Sequence, residues 1–483
     1  MNWPFTRFLI GRLLFVLAGL MLVPIIVALI YQNDWQVIRS FLVSIIACLV
    51  VGGALSYKSP QNTLFFAREG YILVALSWIV YGFFGALPFY FSGYVTSPVD
   101  AFFESVSGFT TTGASVLSEH LHVLPEALMF WRSFTLLIGG MGMLIFLMYI
   151  IPNFGAKGVY VMRAELPGPN QGKIESRVSH SILILYGIYI FLTILVTVLL
   201  VVGHVPVFEA MLLAMGVAGT GGFNIYPSSI GHYNSQYVET VLAIAMFTFG
   251  MNFNFFYLIF IGRIKEVLKD EELKWYVQII LASCAVIAFT LWPSYDDFSH
   301  LLSDVFFNVT SVISTTAYTN LDLLSWPLTT HIIILVLMFS GAMSGSTTSG
   351  LKVIRIGIFL KSIRQEIRSM VSPDRVVPVT FNGRALTPKM QRGIAFYLMT
   401  YLFMFVVLLI ILSFDTVNFS SAFSATIATL SNIGGSLNLL GPSQDYVQLS
   451  DFSKVIMSFA MIMGRLEIYP MLVLLSPASW RKI

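Results

Sequence analysis

The stretch DAFFESVSGFTTTGAS, Asp100–Ser115, runs from an apolar-rich segment into a knot of threonine and glycine. The apolar part of such a stretch covers about 10–14 residues, whereas a membrane crossing takes about 20, so its length is that of a re-entrant half-helix. Three further stretches follow the same grammar: VFEAMLLAMGVAGTGGFN (207–224), DVFFNVTSVISTTAYTN (304–320) and SSAFSATIATLSNIGGSLN (420–438). Each lies between two long apolar runs. Superposing the knots puts Gly113, Gly222, Ala317 and Gly434 in register, the pattern of an internal repeat of supersecondary units.

The composition demands a bilayer. Of 483 residues 57% are hydrophobic and 11% charged, with mean hydropathy +0.82, more apolar surface than a water-soluble core can hide. Water-soluble enzyme folds are thereby excluded. The expected architecture is an all-α polytopic membrane protein with two leading helices, about 8–30 and 37–57 within residues 1–68. Four span, half-helix, span units follow at 69–160, 161–270, 271–390 and 391–483. The first run lacks a small-residue cleavage site and reads as a retained span. Cys48 and Cys284 stand far apart in apolar runs, so neither a disulfide nor a zinc site is expected. The histidines are scattered; His120 and His122 alone are close and make no metal site.

Charge sets the orientation. Of the 27 Lys and Arg, 23 fall at the two chain ends and in segments 57–68, 152–177, 262–274 and 352–392, while 92–123, 203–240, 293–330 and 413–450 carry none. The positive-inside rule places the basic segments and both termini in the cytoplasm. The outer segments also hold carboxylates, among them Asp100, Glu104, Glu209 and Asp304. Two readings stand: an acidic rim that attracts cations, or simple solvation of the non-cytoplasmic side. The basic segments are short and lie against the membrane, which gives nucleic acid no surface.

Non-helical backbone at membrane depth must line water or be buried in protein, because lipid satisfies no N–H or C=O. Four such loops around one axis, entered from one side, can turn a ring of carbonyls toward a passing monovalent cation. Their half-helices aim partially negative C-termini at the bilayer centre.

The run from His331 to Arg368 is too long for one crossing and is interrupted at 341–350 by Gly, Ser and Thr, a composition that breaks helices. The phosphate-loop reading of GSTTSGLK fails, for lack of a preceding strand and of the spacing that motif requires. Arg465 lies in the last apolar run, where a charge costs about 3 kcal/mol or more unless it meets a partner or a water-filled cavity. Glu467, two residues on, does not share its helix face. Arg132 reads as a snorkelling or bracing residue. Lys352, Arg355, Lys361, Arg364 and Arg368 mark the cytoplasmic exit or a solvated basic face. No nucleophile–base pair is available at membrane depth, which speaks against an intramembrane enzyme.

These residues resemble the potassium transporter superfamily that includes Trk, Ktr and HKT proteins, and within it most closely the bacterial TrkH/TrkG subunits. The similarity covers essentially the whole chain, with FFESVSGFTTTGAS, WRSFTLLIGGMGMLI (131–145), AELPGP (164–169), SGSTTSGLKVIRI (344–356) and GRLEIYP (464–470) most alike. The resemblance implies a single-chain pseudo-tetrameric pore carrying K+ inward across a bacterial inner membrane. It also implies a homodimer in the lipid bilayer, regulated by a cytosolic nucleotide-binding ring of the TrkA type, with no organic cofactor. It assigns ion coordination to Thr111, Thr112 and Gly113, to Thr220, Gly221 and Gly222, to Thr315, Thr316 and Ala317, and to Asn432, Ile433 and Gly434. At Ala317 the sequence departs from the family's glycine, and the added methyl restricts the backbone there; a Na+-conducting or cation-symporting relative with relaxed selectivity is the alternative. The implied gate is Gly345, Ser346, Thr347, Thr348, Ser349 and Gly350, together with Arg465 projecting into the pore below the loops.

Overall fold

A computed structural model describes residues 2–60, 67–142, 178–372, 378–416, 418–435 and 446–480. AELPGP, the basic segment 152–177 and the boundary at 160 lie outside the described residues.

The chain is an all-α polytopic protein. The leading run forms Trp3–Leu20 and Leu22–Ile30, joined at Met21, where Pro24 has no N–H to give the Leu20 carbonyl. Trp35–Ser56 returns beside it. Asn33, between them, clamps the first unit: its amide donates to Glu126 Oε2 at 2.6 Å and its Oδ1 accepts the Ala127 N–H at 3.0 Å.

Four units follow. Their first spans are Arg68–Phe91, Leu183–Val202, Glu271–Ser294 and Pro388–Leu412, each long and apolar enough to cross a membrane. The half-helices are Pro98–Phe109, Val207–Gly219, Phe298–Ile313 and Phe419–Leu430, 12 to 16 residues each, close to the length the sequence indicates. The second helices are Glu126–Gly140, Gln236–Phe249, Leu328–Ser340 and Asp451–Arg465.

The units close on one another in a ring. Each half-helix packs on its own first span and also on the second helix of the preceding unit: 207–219 on 126–140, 298–313 on 236–249, 419–430 on 328–340, and 98–109 on 451–465. Capping fixes the start of three half-helices, since Ser97, Asp297 and Asn418 side chains accept N–H groups of the first turn.

The repeat description holds, and two of its second spans are bent: 236–249 turns by 94° into Phe253–Phe260, and 451–465 breaks at Glu467 and Ile468, both at positive φ, before Tyr469–Leu475. In the first and fourth units a glycine marks the crossing under the half-helix end. A Cβ on Gly139 would strike the Phe109 carbonyl, and one on Gly464 the Leu430 carbonyl, each the last residue of a half-helix.

The leading helices touch backbone to backbone. A Cβ on Gly52 would stand 2.9 Å from the Gly11 carbonyl oxygen, and one on Gly11 2.7 Å from that of Gly52. Overpacking at such a contact costs ~1–3 kcal/mol. We therefore expect Gly52→Leu to lower the melting temperature of the detergent-purified protein. Gly53→Leu, where a Cβ meets nothing within 4 Å among the described residues, leaves it unchanged; equal melting shifts would contradict the packing.

Candidate functional site

Each half-helix ends in the same three-residue turn. Thr111, Thr220, Thr315 and Asn432 have φ of 55°, 55°, 60° and 55°, and Gly113, Gly222, Ala317 and Gly434 have 80°, 56°, 61° and 76°. The middle residues, Thr112, Gly221, Thr316 and Ile433, are not at positive φ. Their N–H groups donate to the carbonyls of Ser107 (2.8 Å), Gly216 (3.0 Å), Ser311 (3.0 Å) and Ala428 (2.8 Å), five residues back. This is the left-handed cap that ends many helices, whose left-handed position is ordinarily glycine. Here threonine occupies it three times and asparagine once, although a non-glycine residue in that region costs ~1–3 kcal/mol.

The loops interlock. A Cβ on Gly113 would fall on the Gly221 carbonyl oxygen, one on Gly222 on that of Thr316, and one on Gly434 on that of Thr112. The order 4-1-2-3 of these contacts matches the ring of helices. Asn432 adds a side-chain link, its amide donating at 2.8 Å both to Thr112 Oγ1 and to the Met461 carbonyl. All twelve loop residues are buried. Among the described residues, Thr111 Oγ1 and Asn432 Oδ1 are buried without a hydrogen-bond partner.

The broken third span lies against this ring. Between Leu328–Ser340 and Val353–Val371 the chain runs irregularly, with Gly341, Gly345, Gly350 and Lys352 at positive φ. The Ser349 N–H reaches Thr315 Oγ1 at 3.5 Å. Neighbouring elements satisfy part of its backbone: Met343 N–H donates to Gly250 O (3.1 Å), Gly345 O accepts from Phe253 N–H (3.0 Å), and Ser344 N–H donates to Glu272 Oε1 (2.6 Å).

Arg465 spans the gap between this loop and the first unit. It donates to Thr347 O at 2.6 Å, Ser349 Oγ at 3.4 Å, Gly139 O at 2.5 Å and Gly140 O at 2.9 Å. Glu467 is instead the partner of Arg355.

The structure thus brings the twelve loop residues together in one ring and sets 345–350 and Arg465 beside one another. Other charges differ from their sequence reading. Lys352 and Arg355 are not a solvated basic face: Lys352 is buried and bonds Thr348 through its carbonyl and its Oγ1, and Arg355 lies over the Tyr397 ring, 4.0 Å from its centroid. Lys361 is paired with Glu271, and only Arg364 and Arg368 are exposed. Glu104 belongs to no rim; it is buried and pairs with Arg132 at 2.6 Å. Asp100 meets Lys454 at 2.6 Å. Sequence reasoning missed these pairs, together with Glu272; for Glu104 alone, a carboxylate inside an apolar run was signal enough to seek a buried partner.

Comparison with known proteins agrees with this architecture. The model of the family described as "TrkH: Cation transport protein" matches residues 37–482. The Trk system potassium uptake protein TrkH of Salmonella typhimurium is 32% identical over 480 residues, covering 98% of each chain. The TrkG protein of Escherichia coli is 29% identical, covering 98% of this chain and 97% of its own. The crystal structure of the potassium transporter TrkH from Vibrio parahaemolyticus superposes with a TM-score of 0.89 at 28% identity over the full length of both chains. The relatives are transporters and not enzymes, and this chain belongs to the TrkH family of cation transport proteins.

Proposed function

We propose that the chain carries K+ inward through the ring of four loops, as a gated, channel-like pore. The observation that supports this most is the repeated backbone: at each loop φ is positive, then not, then positive, a sequence that turns successive carbonyls to one side of the chain. Four such strands packed against one another give a stack of oxygens able to replace the hydration shell of a cation. The buried, unpartnered oxygens of Thr111 and Asn432 are acceptors of the kind a cation takes. On this reading Thr111–Gly113, Thr220–Gly222, Thr315–Ala317 and Asn432–Gly434 coordinate the ion, and the units 69–160, 161–270, 271–390 and 391–483 are the quadrants of the pore.

The gate in this proposal is Gly345–Gly350 with Arg465. The guanidinium places positive charge just below the ring and holds the loop through the Thr347 carbonyl, two effects that favour the closed state. A membrane potential of 100 mV supplies about 2.3 kcal/mol per charge, enough for roughly 50-fold accumulation with no other energy source. Nucleotide on a cytosolic ring of the TrkA type then regulates the gate without powering transport. The family name of the relatives, a Trk "system", supports such a partner subunit; the homodimer, the bacterial inner membrane and the cytoplasmic termini follow from the resemblance and the charge pattern.

Ala317 favours a second reading, a pore that also passes Na+. At the three matching positions a Cβ would strike the neighbouring loop's carbonyl, and the common register implies Ile433 as that neighbour for the Ala317 methyl. Displacing one carbonyl loosens one quadrant.

Rubidium uptake into proteoliposomes under a K+ gradient, with K+ and Na+ as competitors, tests the reading. K+ is expected to compete far better than Na+, and Ala317→Gly to widen that difference; equal competition selects the relaxed pore, and an absence of uptake in every condition overturns both. Gly222→Ala, forced onto the Thr316 carbonyl, should lower uptake at least tenfold in protein that still purifies as a single species. Arg465→Ala should raise basal uptake several-fold in the absence of any partner, and unchanged uptake would remove Arg465 from the gate.

A further inference from the structure

Two residues past Gly113, Gly222 and Ala317 in the common register stand Ser115, Asn224 and Thr319. A string of hydrogen bonds joins these positions from unit to unit. Its hub is Arg132, whose Nε donates to Glu104 Oε1 at 2.6 Å, whose Nη2 donates to Ser115 Oγ at 3.1 Å, and whose Nη1 donates to the Asn224 carbonyl at 3.2 Å. The guanidinium lies over the Phe223 ring, 4.3 Å from its centroid. Glu104 also accepts from Ser115 Oγ at 3.0 Å and from the Val116 N–H at 3.1 Å.

The string continues both ways. Ser229 Oγ donates to Asn224 Oδ1 at 2.7 Å and accepts the Thr319 N–H at 3.3 Å, which reaches the third unit. In the other direction the Tyr446 N–H donates to the Ser115 carbonyl at 2.9 Å, and the Tyr446 hydroxyl to the Gly434 carbonyl at 2.9 Å. The loops are therefore joined in the order 4-1-2-3, at Gly434 in the fourth and just beyond the glycine or alanine in the other three, while their inner ends are fixed by the half-helix caps.

Stability does not account for the charged hub. Arg132 and Glu104 are 2% and 1% exposed, and a buried ion pair of this kind contributes little that well-packed apolar side chains of the same volume would not. What apolar side chains cannot do is hold two loops at a fixed distance. A planar guanidinium with five donors in a rigid fork can, and lysine, with its single mobile ammonium, cannot. A ring of carbonyls that discriminates between ions of different radius must resist closing on the smaller one, and a loop held at both ends resists most.

We infer that Arg132 and Glu104 at the seam of the first and second loops, and Ser229 at the seam of the second and third, are positioning residues that set the spacing of these loops and thereby the preference for K+ over Na+. None of the three is bonded to the twelve loop residues themselves. The inference rests on the reading of the loops as the ion pathway.

The test is Rb+ uptake with K+ and Na+ as competitors for Arg132→Lys, Glu104→Gln and Ser229→Ala, with monodispersity and melting temperature recorded for each. A merely structural role lowers the amount of folded protein and leaves the competition ratio alone. The string predicts that Arg132→Lys and Glu104→Gln lower the K+/Na+ preference at least fivefold in the folded fraction, and that Ser229→Ala, which removes one neutral hydroxyl from the second seam, lowers it by a smaller factor. An unchanged ratio in any of these variants that remains monodisperse overturns the inference. Ser229→Ala carries the test alone should the charged variants not fold. Equal competition in the unsubstituted protein overturns the ion-pathway reading itself, and the positioning role with it.

Discussion

The structure depends on one constraint: a helix that stops inside a bilayer exposes carbonyls or N–H groups that lipid cannot satisfy. This chain stops helices there repeatedly, at the end of each half-helix and again where second helices break. At each kind of break, backbone groups are answered from within the protein. Half-helix carbonyls are met by the N–H groups of their own caps, those of Ser107, Gly216, Ser311 and Ala428 being examples. The carbonyls of Gly139 and Gly140 are met by Arg465, and the Ser344 N–H by Glu272. Charged side chains that look costly in an apolar sequence are thus the groups that make the irregular backbone tolerable.

Backbone strain follows the same geometry. Thr111, Thr220 and Thr315 hold a left-handed conformation that β-branched residues avoid, and the surroundings enforce it through packing from the next unit. Glycine at these caps would remove the strain, but it would also remove the side-chain oxygen and leave a turn with more freedom in the unfolded and folded chain alike. Hydroxyl pairs tighten the same turns: Thr110 with Thr112 and Ser314 with Thr316, each 2.8 Å apart.

Much of this was legible in the sequence because it is local. Apolar segments too short to span, followed by Gly/Thr knots, carried the four units and the register of Gly113, Gly222, Ala317 and Gly434; the full set of twelve loop residues came from the family resemblance. The Gly/Ser/Thr run at 341–350 announced the break in the third unit by composition alone. The breaks at Gly250–Asn252 and at Leu466–Ile468 carry no such cluster; they are set by what the second helix runs into, a tertiary fact. For the same reason the acidic residues were misjudged. Positive-inside counting treats Asp100 and Glu104 as outer charge, whereas their partners, Lys454 and Arg132, stand 354 and 28 residues away. Lys352 and Arg355 likewise follow a basic pattern to the cytoplasmic side while their partners draw them inward.

The loop at 341–352 shows how these constraints turn into cooperativity. It is bonded to the elbow of the second unit through Gly250 and Phe253, to the third unit's first span through Glu272, and to the fourth unit through Arg465. Arg465 in turn holds the first unit's Gly139 and Gly140. Displacing the loop therefore cannot proceed one hydrogen bond at a time. Each donor it releases in a low-dielectric interior needs a new acceptor, at ~1–3 kcal/mol for any group left without one. A segment anchored in this way has few intermediate positions of acceptable energy. The gate proposed above would therefore have to move as one unit, and the glycines at 341, 345 and 350, all at positive φ, are the points where its backbone turns with least strain.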